Sequence, residues 1–363
     1  MKKLLAILVV FSLVLLAACG SGGSNGGNNN NNNNNSSSST TSGSGGSSGG
    51  NSGQAENKQD KVEPTVLKMN LVISNTDKTW PLWEEFAKEL EEKSEGTLKV
   101  EMYPTESLGK TTDMIEAISK GAPILQDSDP SHLAAYVPDF AIFMHPYLFK
   151  EPNDIEQAWK SEIGQRMSGE LEDKGLKIVT MVYFGTRHLI SDRPVVTRAD
   201  TKNMKIRNAP TKMWNEVTKT LGGNPTNTAW SEVYSALSQG VADGAESPLS
   251  LLYSAKLYEV RKNISLTGHL VATTSIVMSK QVYDSLPEQA KKAIDEVGSA
   301  YPAKRAGQIV ALEQEFRELL EAEGVVFNDV EKDEFIEAAK NVSQAFPEWT
   351  PGLYEDMLKA IED

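Results

Sequence analysis

The stretch Leu176-Lys177-Ile178-Val179-Thr180-Met181-Val182-Tyr183-Phe184, running into Gly185-Thr186-Arg187, decides the fold class. It is an apolar run of strand length, and it follows a helical pattern from Ile155 to Lys174 that Gly175 ends. The same alternation continues on both sides. Downstream, Met204-Lys205-Ile206-Arg207 reads as a short strand, and Asn208-Ala209-Pro210 turns the chain. Thr211–Leu221 then has helical spacing and stops at Gly222-Gly223, and Ser231–Gln239 stops at Gly240. A long helical pattern fills Pro287–Glu323, with Pro302 inside it expected to kink or divide it. Short helices are expected near Lys332–Phe346 and Pro351–Ile361. Upstream, Val66–Ile73 and Leu98–Tyr103 read as strands. Between them Trp80–Lys93 carries Leu82, Phe86 and Leu90 on one stripe, and after them Thr112–Ser119 reads as a short helix. Strands alternating with helices predict an α/β fold with largely parallel sheets.

The amino end is of another kind. Lys2 and Lys3 precede an apolar run, Leu4–Leu16, that closes on Leu16-Ala17-Ala18-Cys19. A charged start, a short apolar stretch and a small-residue site make a secretory signal, and the run is too short for a permanent span. Cys19 is the single cysteine of the chain. Its position resembles a bacterial lipobox, with cleavage before Cys19 and lipid on its thiol. The competing reading is a plain signal followed by a free thiol. From Gly20 to about Gln59 the chain is mostly Gly, Ser, Asn and Thr, including Asn28–Asn35. Such composition buries nothing and is expected to be a disordered spacer. The remaining roughly 300 residues suffice for two lobes.

Charge narrows the partners. The chain has 36 basic and 50 acidic residues, for a net charge of −14. Cleavage before Cys19 would remove two of the basic residues and no acid. No basic tract exists, so nucleic acid is an unsuitable partner. His132, His145, His188 and His269 show no metal-ligand spacing, and no Walker loop, G-x-G-x-x-G or G-x-S-x-G occurs. No cofactor, metal or catalytic residue is expected, and a binding protein is favoured over an enzyme. In open α/β sheets ligands sit beyond the carboxyl ends of strands. Arg187 and Arg207, read as standing at two such ends, could grip a carboxylate through their planar forks. One close contact of that kind carries about 4 kcal/mol of Coulomb energy before desolvation. The opposing reading pairs each arginine with an internal acid such as Asp192 or Asp200.

The order Gly185-Thr186-Arg187, Lys205-Ile206-Arg207, Leu221-Gly222-Gly223-Asn224-Pro225-Thr226, Ala229-Trp230-Ser231-Glu232-Val233-Tyr234 and Gly240-Val241-Ala242-Asp243-Gly244-Ala245-Glu246-Ser247-Pro248 resembles the solute-binding subunit of TRAP transporters, the DctP-type family. Similarity covers residues 65–345. The resemblance implies two periplasmic-binding-protein-like lobes with crossing strands and a long hinge-spanning helix. The implied boundaries are a signal peptide at 1–18 and a linker at 19–61. Lobe I would take 62–184 with 273–312, and lobe II 185–272 with 313–363. It implies an extracytoplasmic receptor that delivers a small organic acid to the small and large TRAP membrane subunits, tethered by lipid on Cys19. Sugar acids, dicarboxylates and aromatic or branched carboxylates stay open. The alternative is a sensing lipoprotein that signals to a membrane partner from the same pocket.

By resemblance, Arg207 matches the family's carboxylate-binding arginine, and Arg187 a second arginine near the ligand in sialic-acid binders. Trp230 falls where a phenylalanine often lines the pocket, and Asp129 where a glutamate contacts the solute. Ser247 replaces an asparagine that helps hold the carboxylate. Trp80 and Asn208 complete the candidate ligand-binding residues.

Overall fold

The computed structural model of the protein describes residues 63–362. Cys19, the signal expected at 1–18 and the whole 19–61 linker lie outside the described residues. The chain begins with β1 (Thr65–Asn70), α1 (Trp80–Lys93), β2 (Leu98–Tyr103), α2 (Thr111–Ser119), β3 (Ile124–Ser128) and the single turn α3 (Pro130–Leu133). Next come α4 (Pro152–Lys160), α5 (Glu162–Glu172), β4 (Leu176–Ser191), β5 (Lys205–Asn208), α6 (Lys212–Thr220) and β6 (Asn224–Asn227). The rest comprises α7 (Val233–Ser238), β7 (Gly244–Pro248), α8 (Leu249–Ser254), β8 (Asn263–Ser279), α9 (Lys280–Ser285), α10 (Glu288–Ala322), β9 (Val326–Asn328), α11 (Lys332–Ala339) and α12 (Leu353–Glu362).

The sheet runs β2-β1-β3-β8-β4-β7-β5-β6, with β9 on β8. β1 pairs in parallel with β2 and β3 at one end, and β5 in parallel with β6 and β7 at the other. Between them β4 and β8, of 16 and 17 residues, pair antiparallel along nearly their whole length. The sheet is therefore mixed, not largely parallel. Each half is a parallel unit, and two long crossing strands join the halves.

The pairing of β4 with β8 slips between Ile178 and Thr180, between Tyr183 and Gly185, and between Arg187 and Leu189. Such bulges bend a strand and raise its twist. Gly185 has φ +129°, and a Cβ there would meet the Pro248 side chain at 2.8 Å. Glycine thus lets β4 pass Pro248 at close quarters.

Ser161 has ψ 163° and caps α5 by accepting from the Gly164 N–H at 3.3 Å. It thereby splits the expected 155–174 helix in two. Pro302 does not divide α10, which continues for 35 residues. Proline forfeits one backbone hydrogen bond and brings a steric clash. Packing on both sides offsets this: Tyr301 stacks among Trp83 and Phe86, and the Arg305 guanidinium lies 4.2 Å over the Trp83 ring. The buried stripe of α10 runs from Ala290 through Ile294, Val297, Gly298, Tyr301 and Ile309 to Phe316 and Leu320. Near the carboxyl end, Phe346, Trp349, Leu353 and Met357 share a buried cluster with Phe140, Phe143 and Ile155. No helix among the described residues is long and apolar enough to cross a membrane.

An ideal Cβ on Gly298 would fall 2.0 Å from the Val179 carbonyl oxygen. Gly298→Ala must therefore push α10 off β4, and overpacking of this kind costs roughly 1–3 kcal/mol. The urea midpoint should fall with an unchanged slope. An unshifted midpoint would contradict the tight seating of the helix.

Candidate functional site

A cavity of about 300 Å³ opens where the two halves of the sheet face each other. The β2–α2 loop, the start of α2, β3 and α3 with its cap contribute Glu106, Thr111, Asp127, Ser128, Asp129 and His132 to its wall. The crossing strands contribute Phe184, Arg187, Thr273 and Thr274. The second half contributes Arg207, Trp214, Trp230 and Glu246.

Arg207 sits on the four-residue strand β5 and is 3% exposed. Its Nη2 and Nε donate to the Thr228 carbonyl at 2.7 and 3.2 Å, and its Cζ lies 5.2 Å from the Trp230 ring. Among the described residues no acid comes within ion-pair distance of it. Burial pulls its pKa down to about 10, against the attraction of Glu246, so it is cationic at neutral pH. A carbonyl and an indole face hold this cation in place without neutralising it.

Arg187 is treated differently. Its Nε and Nη2 donate to the two Glu246 carboxylate oxygens at 2.5 and 2.9 Å, and Nη2 also reaches the Glu246 carbonyl at 3.1 Å. His269 Nε2 lies 3.2 Å from the same carboxylate, and all three side chains are buried. Burial works against charge on Glu246, but Arg187 and His269 overcome it and hold the pKa down to about 2. Arg187 thus meets an internal acid, though neither Asp192 nor Asp200. Nor does it end a strand, because β4 runs on through it to Ser191.

Asp129 caps α3, accepting from the Ser131 amide at 2.9 Å. It also accepts from Trp214 Nε1 at 3.2 Å and from the Ser131 hydroxyl. His132 Nδ1 lies 3.0 Å from Asp129 Oδ2, off the line of a hydrogen bond, so the attraction there is electrostatic. Burial opposes charge on both side chains; their mutual attraction outweighs it, lowering the Asp129 pKa and raising that of His132.

Glu106 stands in a left-handed pair with Thr105, at φ 54° and 52°, a conformation rare for non-glycine residues. Its strained loop aims one carboxylate oxygen at the Thr111 amide and hydroxyl, at 3.1 and 2.9 Å, and the other at the Ser231 amide, at 3.1 Å. Beside it Lys110 reaches Glu232 at 2.7 Å. These contacts tie the β2–α2 loop to the loop before α7, across the cavity mouth.

Of the sequence candidates, Arg207, Arg187, Trp230 and Asp129 line one cavity. Asn208, Ser247 and Trp80 do not line it. Asn208 follows Arg207 on a strand, so its side chain takes the other face and bonds Ala209, Asn215 and Thr226. Ser247 likewise follows Glu246, and its hydroxyl is buried without a hydrogen-bond partner. Trp80 opens α1 inside the core, with Nε1 on Glu84 at 2.8 Å. The residues that sequence reasoning missed are Glu106, Asp127, Trp214 and Glu246. Glu106 follows the carboxyl end of β2, where that rule could have found it. Glu246 lay inside a quoted motif. No group of His, Cys, Asp or Glu suited to a metal ion occurs among the described residues.

Comparison with known proteins places the chain in a family. The family model described as bacterial extracellular solute-binding protein, family 7 (DctP), matches residues 71–348. The 2,3-diketo-L-gulonate-binding periplasmic protein YiaO of Escherichia coli is 30% identical over 302 residues, covering 82% of this chain and 91% of that one. The sialic acid-binding periplasmic protein SiaP of Vibrio cholerae is 28% identical over 287 residues, 78% of this chain and 88% of the other. Among solved structures, a TRAP periplasmic solute-binding protein of Actinobacillus succinogenes with bound L-galactonate superposes with a TM-score of 0.79. It is 29% identical, over 82% of this chain and 99% of that chain.

Asp127 makes the cavity wall sensitive to pH. It is fully buried, accepts from the Thr274 hydroxyl and, at 3.4 Å, the Val72 amide, and burial pushes its pKa up to about 6. A carboxyl raised in the fold favours folding below its ordinary value near 3.8, and that preference is lost as pH rises through about 6. Two pKa units correspond to about 3 kcal/mol. Asp127→Asn should therefore flatten the fall in stability between about pH 4 and 6 in urea titrations. An identical pH slope in both proteins would refute the assignment.

Proposed function

The chain belongs to family 7 of the bacterial extracellular solute-binding proteins, the DctP type of TRAP systems, and on that footing we propose that it receives a small hydroxylated monocarboxylate on Arg207 and hands it to a TRAP-type permease. The observation that carries the proposal is a buried guanidinium on a cavity wall with no acid of its own. An unpaired buried charge is costly, and an anionic ligand supplies what the fold leaves out. The volume lies at the low end for ligand cavities, which suits a small solute.

The rest of the wall supports one carboxylate over two. Arg187 is committed to Glu246 and Lys110 to Glu232, whereas Glu106, Asp113, Asp127 and Asp129 bring further negative charge. A second carboxylate would face those acids, but hydroxyls could donate to Asp127 and exchange hydrogen bonds with Ser128, Thr273 and Thr274. Trp230, Phe184, Leu251 and Val72 offer apolar faces to a carbon skeleton. Relatives binding L-galactonate, L-fuconate and 2,3-diketo-L-gulonate fit this chemistry. The family consists of receptors, and a receptor reading needs no catalytic group here.

In this reading the lobes are 63–184 with 273–312, and 185–272 with 313–341. The segment 342–362 goes with lobe I, where the sequence reading had put it in lobe II, because Trp349 Nε1 donates to the Pro138 carbonyl at 3.0 Å and the Thr350 amide to Asp139 at 2.9 Å. Solute binding closes the lobes, and the anchor is lipid on Cys19.

A thermal-shift screen of sugar acids should find a stabilising ligand, since binding only the folded state raises its melting temperature. Arg207→Ala should then weaken that ligand by several kcal/mol, and Arg207→Lys should fall between the two, because the fork is lost. Calorimetry giving wild-type affinity for Arg207→Ala would place the carboxylate elsewhere. Separately, Cys19→Ala should release the protein from membranes and abolish globomycin-sensitive processing; unchanged membrane partitioning would remove the anchor.

A further inference from the structure

Trp214 stands where the two halves of the molecule meet around the cavity. It lies in the first turn of α6, which follows β5, and it is 2% exposed. Its ring lies 4.5 Å beneath Arg187 Cζ. Its Nε1–H crosses to Asp129 Oδ2 at 3.2 Å. Asp129 follows β3, on the far side of the β8–β4 pair from β5. A second exchange runs beside the first: the Thr211 and Ser131 hydroxyls are 3.0 Å apart. Thr211 caps α6 and accepts from the Trp214 amide at 3.3 Å, while Asp129 caps α3 and accepts from Ser131. Each cap residue therefore touches the other helix as well as its own.

We propose that Trp214 is a positioning residue that couples lobe closure to the solute site, its bond to Asp129 forming on closure and fixing the indole on which the Arg187 guanidinium rests. The proposal builds on the solute reading of the cavity and departs from the family resemblance at one residue: Asp129 serves closure and does not contact the solute. Three features support the assignment. Asp129 is occupied by Ser131, Trp214 and the His132 charge, which leaves it little capacity for a ligand. The indole packs against one face of the guanidinium whose edge Glu246 holds, so a tilt of the ring would move Arg187. The bond joins a carboxylate to a buried N–H, the strong kind of hydrogen bond, and both groups can be hydrated when the lobes part.

The test begins with wild-type protein screened against L-galactonate, L-fuconate, pantoate and 3-deoxy-D-manno-octulosonic acid, and the tightest binder is carried forward. Absence of binding throughout would count against the solute reading itself and is thereby distinguished from failure of the coupling. Trp214→Phe keeps the stacked ring and deletes the Nε1–H; Asp129→Asn keeps an acceptor oxygen but removes the charge that strengthens the bond. Each should weaken the chosen acid, Trp214→Phe about tenfold or more, mainly through faster release. The ligand-free melting temperature should be nearly unchanged in Trp214→Phe and should fall in Asp129→Asn, which also loses the His132 pairing. The double variant should be weaker than Asp129→Asn by less than Trp214→Phe costs alone, since both act on one bond. Unaltered affinity in Trp214→Phe, fully additive losses, or a ligand-free melting temperature of Trp214→Phe that drops as far as its ligand-bound one would each overturn the coupling. If Trp214→Phe does not fold, the release rate in Asp129→Asn decides: faster release supports the coupling and an unchanged rate overturns it.

Discussion

Everything in the cavity depends on how two buried guanidinium groups are compensated. Placing one charge in a protein interior is expensive, and placing two of the same sign side by side is more so. The fold gives Arg187 a full carboxylate, held by two parallel bonds and steadied by His269. It gives Arg207 a carbonyl and an aromatic face. The first pair is close to neutral and acts as structure. The second group keeps its charge and has space before it. That asymmetry, more than the number of arginines, leaves one uncompensated cation facing the cavity of a chain of net charge −14.

The architecture serves this asymmetry. β4 and β8 carry Arg187, Thr273 and Thr274 on the strands shared by both halves. The acids of the β2–α2 loop and β3 come from one side, and Arg207, Trp214 and Trp230 from the other. A strained loop at Thr105 and Glu106 spends conformational energy to aim one carboxylate at two amides, one of them across the mouth. In the proposed reading, closure and solute recognition use the same few side chains.

The alternation of strands and helices was legible because apolar periodicity is strong in Leu176–Phe184, Trp80–Lys93 and the long helix. β8 was not, although it is the longest strand. Its middle reads Thr267-Gly268-His269-Leu270-Val271-Ala272-Thr273-Thr274-Ser275, where hydroxyls are buried against β4 and the cavity and no water-facing alternation survives. The mixed sheet followed in large part from the same gap, since β8 supplies most of the antiparallel pairing, with β3 and β4, and β4 with β7 the rest. Within the site, Arg207 and Trp230 could be placed by resemblance. Asn208 and Ser247 were misplaced because adjacent strand residues face opposite ways, and motif matching carries no such parity. Trp214 showed only as a helix position; its meaning lies in contacts to Arg187 and Asp129, 27 and 85 positions away.

α10 has a further consequence. At 35 residues it spans about 50 Å, and its buried stripe enters two separate apolar clusters, one through Val297, Tyr301 and Ile309, the other through Phe316 and Leu320. Both cores are threaded on one continuous rod, so neither can melt without loosening the backbone that supports its neighbour. Half-unfolded forms, which present the extended segments that proteases cut, are thereby kept scarce. For a receptor of an extracytoplasmic family, beyond the reach of cytoplasmic chaperones, such all-or-none behaviour prolongs its working life.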